Sequence, residues 1–509
     1  MRTIHILCGV SLFLFSLFHI SALEFTITGE QSVNTNEQSQ KVSTALTHSF
    51  DDLLFLADLS YNTDDKYSPP LSGRFYSGYF YLEEGGLIWS RDTFEMSLGR
   101  LSPVQMIETP YSLFINSTQH SSITGNIYFD SEHFFYRSQW LQLNNNSTAE
   151  GVPSNTYPNT YPNSPPENPE NPENIDDNFG FTGGYPDRGA NIRYYGIRLG
   201  DVRFGLQDAA IYFGRSFDLE YLVNPIPSIF LQYANFSDGT PWKSNEDENA
   251  LIGFFFDYSR PDYYLYSQLL IDDINLNFLF NDSYDNPSKL AWTLGGTRHT
   301  TFGKIGFYHA GATKYVYQPT TSDEPYGYTY YPDTIFLLDN NDEAAIPLED
   351  NYIGYKYGEN NLAFLLTYFP EIAFADLAGS LEFVISGSKS PVNPWGQYTE
   401  YEQGGKYTKM FTDSPLEKRL SFSIDARKMI SNSFSVYGNI ELGYVWNVLK
   451  LTPGPGLTGD YREEYESSED WGEYEADFDL EYLKYYEPSG TSEPIANITI
   501  GAQYSYAPF

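Results

Sequence analysis

The sequence predicts an all-β chain, a single antiparallel transmembrane β-barrel of about 16–18 strands with long extracellular loops. Three observations predict it. Apolar and polar residues alternate with period two over stretches of roughly ten residues, separated by turn residues. Aromatic residues make up 17% of the chain, with 45 Tyr and 37 Phe against one Cys and five Met. That composition suits pleated strands and aromatic girdles at two water–lipid boundaries. Beyond the N-terminal leader, no run of about 18 apolar residues is available to form a membrane helix.

The first element is the leader. Arg2 precedes a nearly continuous apolar run from Ile6 to Phe18, and Ile20, Ser21 and Ala22 offer small residues for cleavage. The run is short for a bilayer, so residues 1–22 read as a secretory signal peptide and 23–509 as the barrel. Cys8 is the only cysteine and lies inside that run. The mature chain is therefore expected to hold no disulfide, no thiolate metal site and no cysteine nucleophile.

In the N-terminal half, Phe94, Met96 and Leu98 alternate with Glu95, Ser97 and Gly99, and Tyr195, Ile197 and Leu199 alternate with Tyr194, Gly196 and Arg198. Leu219 to Val223 reads as a short helical turn before Pro225. Ala250, Ile252, Phe254, Phe256 and Tyr258 form an apolar row. So do Tyr263, Leu265, Leu269 and Ile271, opposite Tyr264, Tyr266, Gln268 and Asp272. Leu381, Phe383 and Ile385 alternate with Ser380, Glu382 and Ser386. Leu420, Phe422 and Ile424 stand opposite Arg419, Ser421, Ser423, Asp425 and Arg427. The clearest stretch runs from Phe434 to Trp446. One face is Phe434, Val436, Gly438, Ile440, Leu442, Tyr444 and Trp446, and the other includes Ser435, Asn439 and Glu441. A glutamate facing a dry core is costly, and one facing a wet barrel interior is not. The last strand runs through Ile498, Ile500, Ala502, Tyr504 and Tyr506 to a terminal Phe509, which is similar to the signal that hands outer-membrane barrels to their insertion machinery.

Between these elements lie polar connections. Residues 144–178 are dominated by Asn, Pro, Glu, Ser and Thr, with the near-repeat at Asn155–Pro158 and Asn159–Pro162. This segment is expected to be a disordered extracellular loop. Further acidic loops follow. Residues 460–481 contain eleven acidic side chains and one Arg, interleaved with Tyr461, Tyr465, Trp471, Tyr474 and Phe478.

With 29 Lys and Arg against 67 Asp and Glu, the formal charge is −38. Nucleic acid is thereby excluded as a partner, because binding phosphate requires clustered basic residues. No metal site is expected: His299 and His309 lack metal-ligand spacing, and no spaced calcium loop is present. Neither a Gly-x-Ser-x-Gly elbow nor a phosphate-cradling Gly-rich loop occurs, so the chain reads as non-enzymatic and without cofactor. Acidic and aromatic loops are either a solvated surface or a carbohydrate-contacting one. Carboxylates accept from sugar hydroxyls, and flat Tyr and Trp faces stack on sugar rings. The densest such stretch holds Tyr326, Tyr328, Tyr330 and Tyr331. Inside the barrel, Glu382, Arg419, Asp425, Arg427 and Glu441 are expected to form a lumen charge network, either pairing with one another or lining a constriction.

Several motifs in order resemble the Wzi family of capsule-assembly outer-membrane barrels. They are Phe94 to Arg100 (FEMSLGR), Ile211 to Arg215 followed by Tyr221 to Pro225, Asn249 to Asp257, Tyr266 to Asp273, Tyr308 to Tyr315, and Ile353 to Gly358. The resemblance implies a closed barrel in the outer membrane of a two-membrane bacterium that binds or organises surface polysaccharide without catalysis. Its partners would be outer-membrane lipid, the polysaccharide, and the insertion machinery through Phe509. Arg215, Gln268 and Asp272 of these motifs, with Tyr326, Tyr328, Tyr330 and Tyr331, are the candidate polysaccharide contacts. Two alternatives remain open on the residues alone: a porin-like diffusion channel, and a surface adhesin or antigen.

Overall fold

The structure, a computed structural model, describes residues 23–34, 38–64, 75–76, 78–118, 120–145, 187–235, 248–273, 288–317, 335–337, 343–345, 352–389, 410–411, 413–453 and 484–506. Eighteen antiparallel strands close into one ring. In chain order they are β1 (Leu23–Val33), β2 (Gln38–Phe50), β3 (Leu53–Asn62), β4 (Tyr79–Arg91), β5 (Phe94–Leu101), β6 (Ser122–Asp130), β7 (Phe134–Asn144), β8 (Arg188–Leu199), β9 (Val202–Phe213), β10 (Glu248–Arg260), β11 (Tyr263–Asp273), β12 (Lys289–Thr300) and β13 (Gly303–Ala312). The hairpin β14 (Ile335–Leu337) and β15 (Glu343–Ala345) stands outside the ring, which resumes with β16 (Asn361–Pro370), β17 (Asp376–Ser386), β18 (Glu417–Ser431) and β19 (Phe434–Trp446). A second small hairpin, β20 (Leu449–Pro453) and β21 (Lys484–Pro488), precedes the last ring strand, β22 (Ser492–Tyr506). The ring closes where β1 pairs with β22, from Phe25 opposite Tyr506 to Val33 opposite Ile498. Full closure leaves no strand edge with unpaired backbone groups, which is the condition for a sheet to stand in lipid.

Connections at one end are two to five residues long, as at residues 51–52, 92–93 and 432–433. Those at the other end include residues 102–121, 145–187, 214–247 and 313–360. Residues 144–178 fall at that long-loop end. Their first residue completes β7, and 146–178 lie outside the described residues, as do the leader, Tyr326 to Tyr331 and Phe509. The acidic stretch after residue 452 proves to be interrupted by β21 and the start of β22.

Period two sorts the wall as expected. Leu420, Phe422, Ile424, Ile440, Leu442, Ile498 and Ile500 are exposed on the outside, as are Phe254, Phe256, Leu265 and Leu269 farther round. Their inward neighbours are buried or half-buried, apart from Asp425 near the short turns. An exposed apolar belt around a closed ring requires hydrocarbon as its surroundings.

The main apolar core lies inside the barrel. Wall residues Phe135, Ile192, Tyr194, Leu251, Phe255, Tyr266 and Leu270 pack against Ile107, Tyr111, Leu113, Phe114, Ile115, Val316, Tyr317, Ile353 and Tyr355 of two long connections that fold inward. Two helices, α1 (Leu219–Val223) and α2 (Ser228–Asn235), lie in the β9–β10 connection. α1 matches the short turn expected before Pro225. α2 was not anticipated from the residue pattern.

Candidate functional site

The β5–β6 connection enters the lumen because its sequence is apolar where a surface loop would be polar. Ile107, Leu113, Phe114 and Ile115 are buried. Its backbone still needs partners, and the wall supplies them. Gln139 Oε1 accepts from Val104 N at 3.1 Å, and Arg203 Nη2 donates to Met106 O at 3.0 Å. Glu108 N donates to Tyr264 OH at 3.0 Å, and Thr109 Oγ1 to Tyr266 OH at 2.7 Å. Leu113 N donates to Gln268 Oε1 at 3.0 Å, while the Gln268 amide donates to Gln207 Oε1 at 2.6 Å. Phe114 is wedged against Gly253 of β10. A Cβ there would stand 2.8 Å from its ring and 2.1 Å from the carbonyl oxygen of Leu269, so only glycine admits this approach.

The β13–β16 connection completes the insert. Ile115 and Ile353 form an antiparallel bridge, flanked by Asn116 N donating to Tyr352 O at 3.0 Å and Gly354 N to Phe114 O at 3.1 Å. Tyr317 OH donates to Leu113 O at 2.9 Å, and Tyr317 N to Asp272 Oδ2 at 2.7 Å. Tyr111 OH donates to Glu382 Oε1 at 2.7 Å, and Lys356 Nζ lies 3.3 Å from the same oxygen. Burial, and after it the Glu382 carboxylate, pushes the Tyr111 phenol well above its ordinary range, so it remains a donor.

The lumen charges are therefore partnered. Beyond the Glu382 group, Arg419 Nη2 reaches Glu441 Oε1 at 3.4 Å, and Asn497 donates to Glu441 Oε2 at 2.8 Å. Asn439 donates to Asp425 at 2.8 Å. Arg427 donates to Gln503 at 2.6 Å and to Ser435 at 3.1 Å. Asp425 and Arg427, near the short turns, are not brought to the Glu382 group by any of these bonds.

Two polar cavities flank the insert. One, of about 330 Å³, opens near the short-turn ends of the strands and is lined by Glu108, Tyr264, Lys304 and Tyr308. The other, of about 340 Å³, lies toward the long-loop end and is lined by Lys41, Asp64, Tyr79, Tyr81, Glu83 and Glu84. The second cavity owes its chemistry to a β-bulge. Asp58 pairs with Glu84 and Leu59 with Leu82, leaving Glu83 as an extra residue. Both glutamates thus turn inward, where Glu83 meets Lys41 at 2.6 Å and Ser60 at 2.7 Å, and Glu84 accepts from Ser102 N at 2.9 Å. Tyr79 OH donates to Asp64 at 2.5 Å, and Tyr81 OH accepts from Arg100 at 2.5 Å.

The sequence reading did not single out this cavity. The available signal was parity: exposed Leu82 and Leu87 are an odd number of residues apart on one outward face, which demands a bulge between them. Of the candidate contacts, Gln268 and Asp272 hold the insert. Arg215 stands on the outer surface of the wall, where it bonds Asp218 at 2.8 Å and Glu248 at 3.2 Å.

Fold and site together define a class: a membrane-spanning antiparallel β-barrel whose lumen is occupied by its own inward-folded connections. No family model matches the chain, and no curated protein does. Among solved structures, it is similar to Wzi of Escherichia coli, described as a carbohydrate-binding β-barrel involved in group 1 capsule assembly. That match has a TM-score of 0.49 and 10% identity over 99% of this chain and 87% of that one. It is also similar to OccAB4 of Acinetobacter baumannii, with a TM-score of 0.43 and 10% identity over 96% and 98% of the two chains. The outer membrane protein OprD of Pseudomonas aeruginosa gives a TM-score of 0.42 and 8% identity over 96% and 93%.

Proposed function

We propose that this chain is a non-enzymatic barrel of the bacterial outer membrane that binds or organises a surface polysaccharide at its long-loop end. The observation that carries the reading is the insert: it fills the middle of the lumen with apolar core and leaves, toward the long loops, a cavity of carboxylates and tyrosines. Carboxylate oxygens accept from sugar hydroxyls. Tyr326, Tyr328, Tyr330 and Tyr331, in the same β13–β16 connection as Tyr317 and Ile353, are proposed as further sugar contacts. Gln268 and Asp272 act in it indirectly, by fixing the insert. The ordered motifs that resemble the Wzi family are in keeping with this reading.

The test pairs two measurements on the purified barrel. Capture of surface polysaccharide should fall at least about tenfold when Asp64 and Glu84, half-buried in the cavity lining, are both replaced by Ala, the loss expected if charge-assisted hydrogen bonds supply affinity. Planar bilayers should show no steady pore. Steady open pores of one size, with unchanged capture by the double variant, would instead establish a diffusion channel.

A further inference from the structure

The outer wall over β7–β10 breaks the rule that outward residues are apolar. Period two places Arg193 in the outward row with exposed Ile197, and Asp208 in the outward row with exposed Phe204. Ser138 shares that row, opposite Arg193. All three are buried, and lumen residues do not cover them. Their cover is the β9–β10 connection, folded back along the outside of the barrel.

The contacts are specific. Arg193 Nη1 lies 4.0 Å from Asp208 Oδ2. Arg193 also donates through Nε to Tyr221 O at 3.0 Å, and through its terminal nitrogens to Tyr221 O and Ile226 O. Asp208 accepts from Ser228 N, at the start of α2, where a carboxylate is favoured by the exposed N–H groups. Ser138 donates to Leu222 O, and Trp140 Nε1 to Ser216 O, each at 2.7 Å. Tyr221 and Leu231 then pack on Ala210 and Tyr212 of the wall as a second, external apolar cluster. Bare, this wall would offer a guanidinium and a carboxylate to its surroundings. Covered, it offers Phe217, Leu219, Val223, Ile226 and Phe230, all exposed.

We infer that the segment from Phe217 to Phe230 is a lipid-facing flap whose occupant is the acyl chains of the leaflet at the long-loop end. Two observations support hydrocarbon as the partner. The exposed residues of the flap continue the belt formed lower on the same strands by Ile197, Phe204, Phe254 and Phe256, so one surface serves both. The buried ion pair, in which backbone carbonyls accept from Arg193 and a backbone N–H donates to Asp208 Oδ2, is an arrangement by which a charged pair tolerates a medium that cannot solvate it. Glu220 remains exposed, an acidic side chain that a lipid-facing flap would hold at the headgroup boundary.

The test is depth-dependent quenching. In a Cys8→Ser background, a fluorophore is attached at Val223→Cys or Phe230→Cys, with Ile440→Cys as the belt reference and Asp92→Cys as the turn reference. The folded barrel is reconstituted in phosphatidylcholine vesicles brominated on the acyl chains, and iodide is the aqueous quencher. At Phe230 the brominated chains should quench at least about half as strongly as at Ile440, with iodide weak, as expected for an interfacially seated helix. Dominant iodide quenching at both flap sites would overturn the inference. So would protection from both quenchers together with label-to-label proximity between molecules, which would make the flap an interface with a second copy.

Discussion

Gln268 illustrates how one side chain can link wall and insert. Its carbonyl accepts from Leu113 N of the insert and its amide donates to Gln207 on the neighbouring wall, so both ends are used in a buried setting. Replacing it with Leu keeps the volume but leaves Leu113 N and Gln207 Oε1 without these partners, a cost of about 1–3 kcal/mol. We expect Gln268→Leu to unfold at lower denaturant in detergent, and the insert to become cleavable by trypsin after Lys356 before the barrel opens. An unchanged midpoint and unchanged protection would show that the amide is not an anchor. At this scale the sequence was partly legible. Glu382, Arg419 and Glu441 could be placed inward because period two alone fixes the face of a strand residue. Arg193 and Asp208 could not be recognised as buried, because the segment that covers them is remote from β8 and local alternation carries no information about remote cover.

Among elements, the strands were the legible part and the connections were not. β18, β19 and β22 advertise themselves because lipid on one side and polar partners on the other enforce strict alternation over their length. β7 to β10 are less regular because the flap, not lipid, covers their upper outward face. No alternation marked the β5–β6 connection, yet Ile107, Leu113, Phe114 and Ile115 make it the centre of the core. Its apolar content was visible in the sequence, but its destination was not, since its partners Gln139, Arg203, Tyr264 and Gln268 come from three distant strands. If this element closes the lumen, removing residues 104–116 and bridging the gap with a short Gly-Ser link should convert a silent barrel into one that conducts steadily in planar bilayers. The strands themselves do not depend on the insert for their hydrogen bonds, so the variant should still migrate as a folded barrel in unheated detergent gels. A folded variant that stays silent would show that the β13–β16 connection closes the lumen by itself.

For the molecule as a whole, stability depends on closure rather than on any one interface. A barrel with a single broken seam exposes two strand edges to hydrocarbon, where each unsatisfied backbone group costs several kcal/mol. Here the seam joins β1 to β22, so the first and last strands of the ring must find each other across nearly the full length of the barrel sequence. Inside that seam Ser32 Oγ and Thr499 Oγ1 lie 2.9 Å apart, on directly paired residues. Replacing both with Cys, in a Cys8→Ser background, should therefore allow a disulfide to form on mild oxidation of the folded barrel, because paired strand positions place Cβ atoms within bridging range. The product would be a covalent ring of almost the entire polypeptide. It should run faster than the reduced form on boiled gels and refold from urea more readily than the open chain, since linking distant residues removes conformational freedom from the unfolded state. Single Cys variants should show neither effect. Absence of the cross-link in a double variant that otherwise folds would mean that β1 and β22 do not meet in this register, and the closed ring would have to be redrawn with its seam elsewhere.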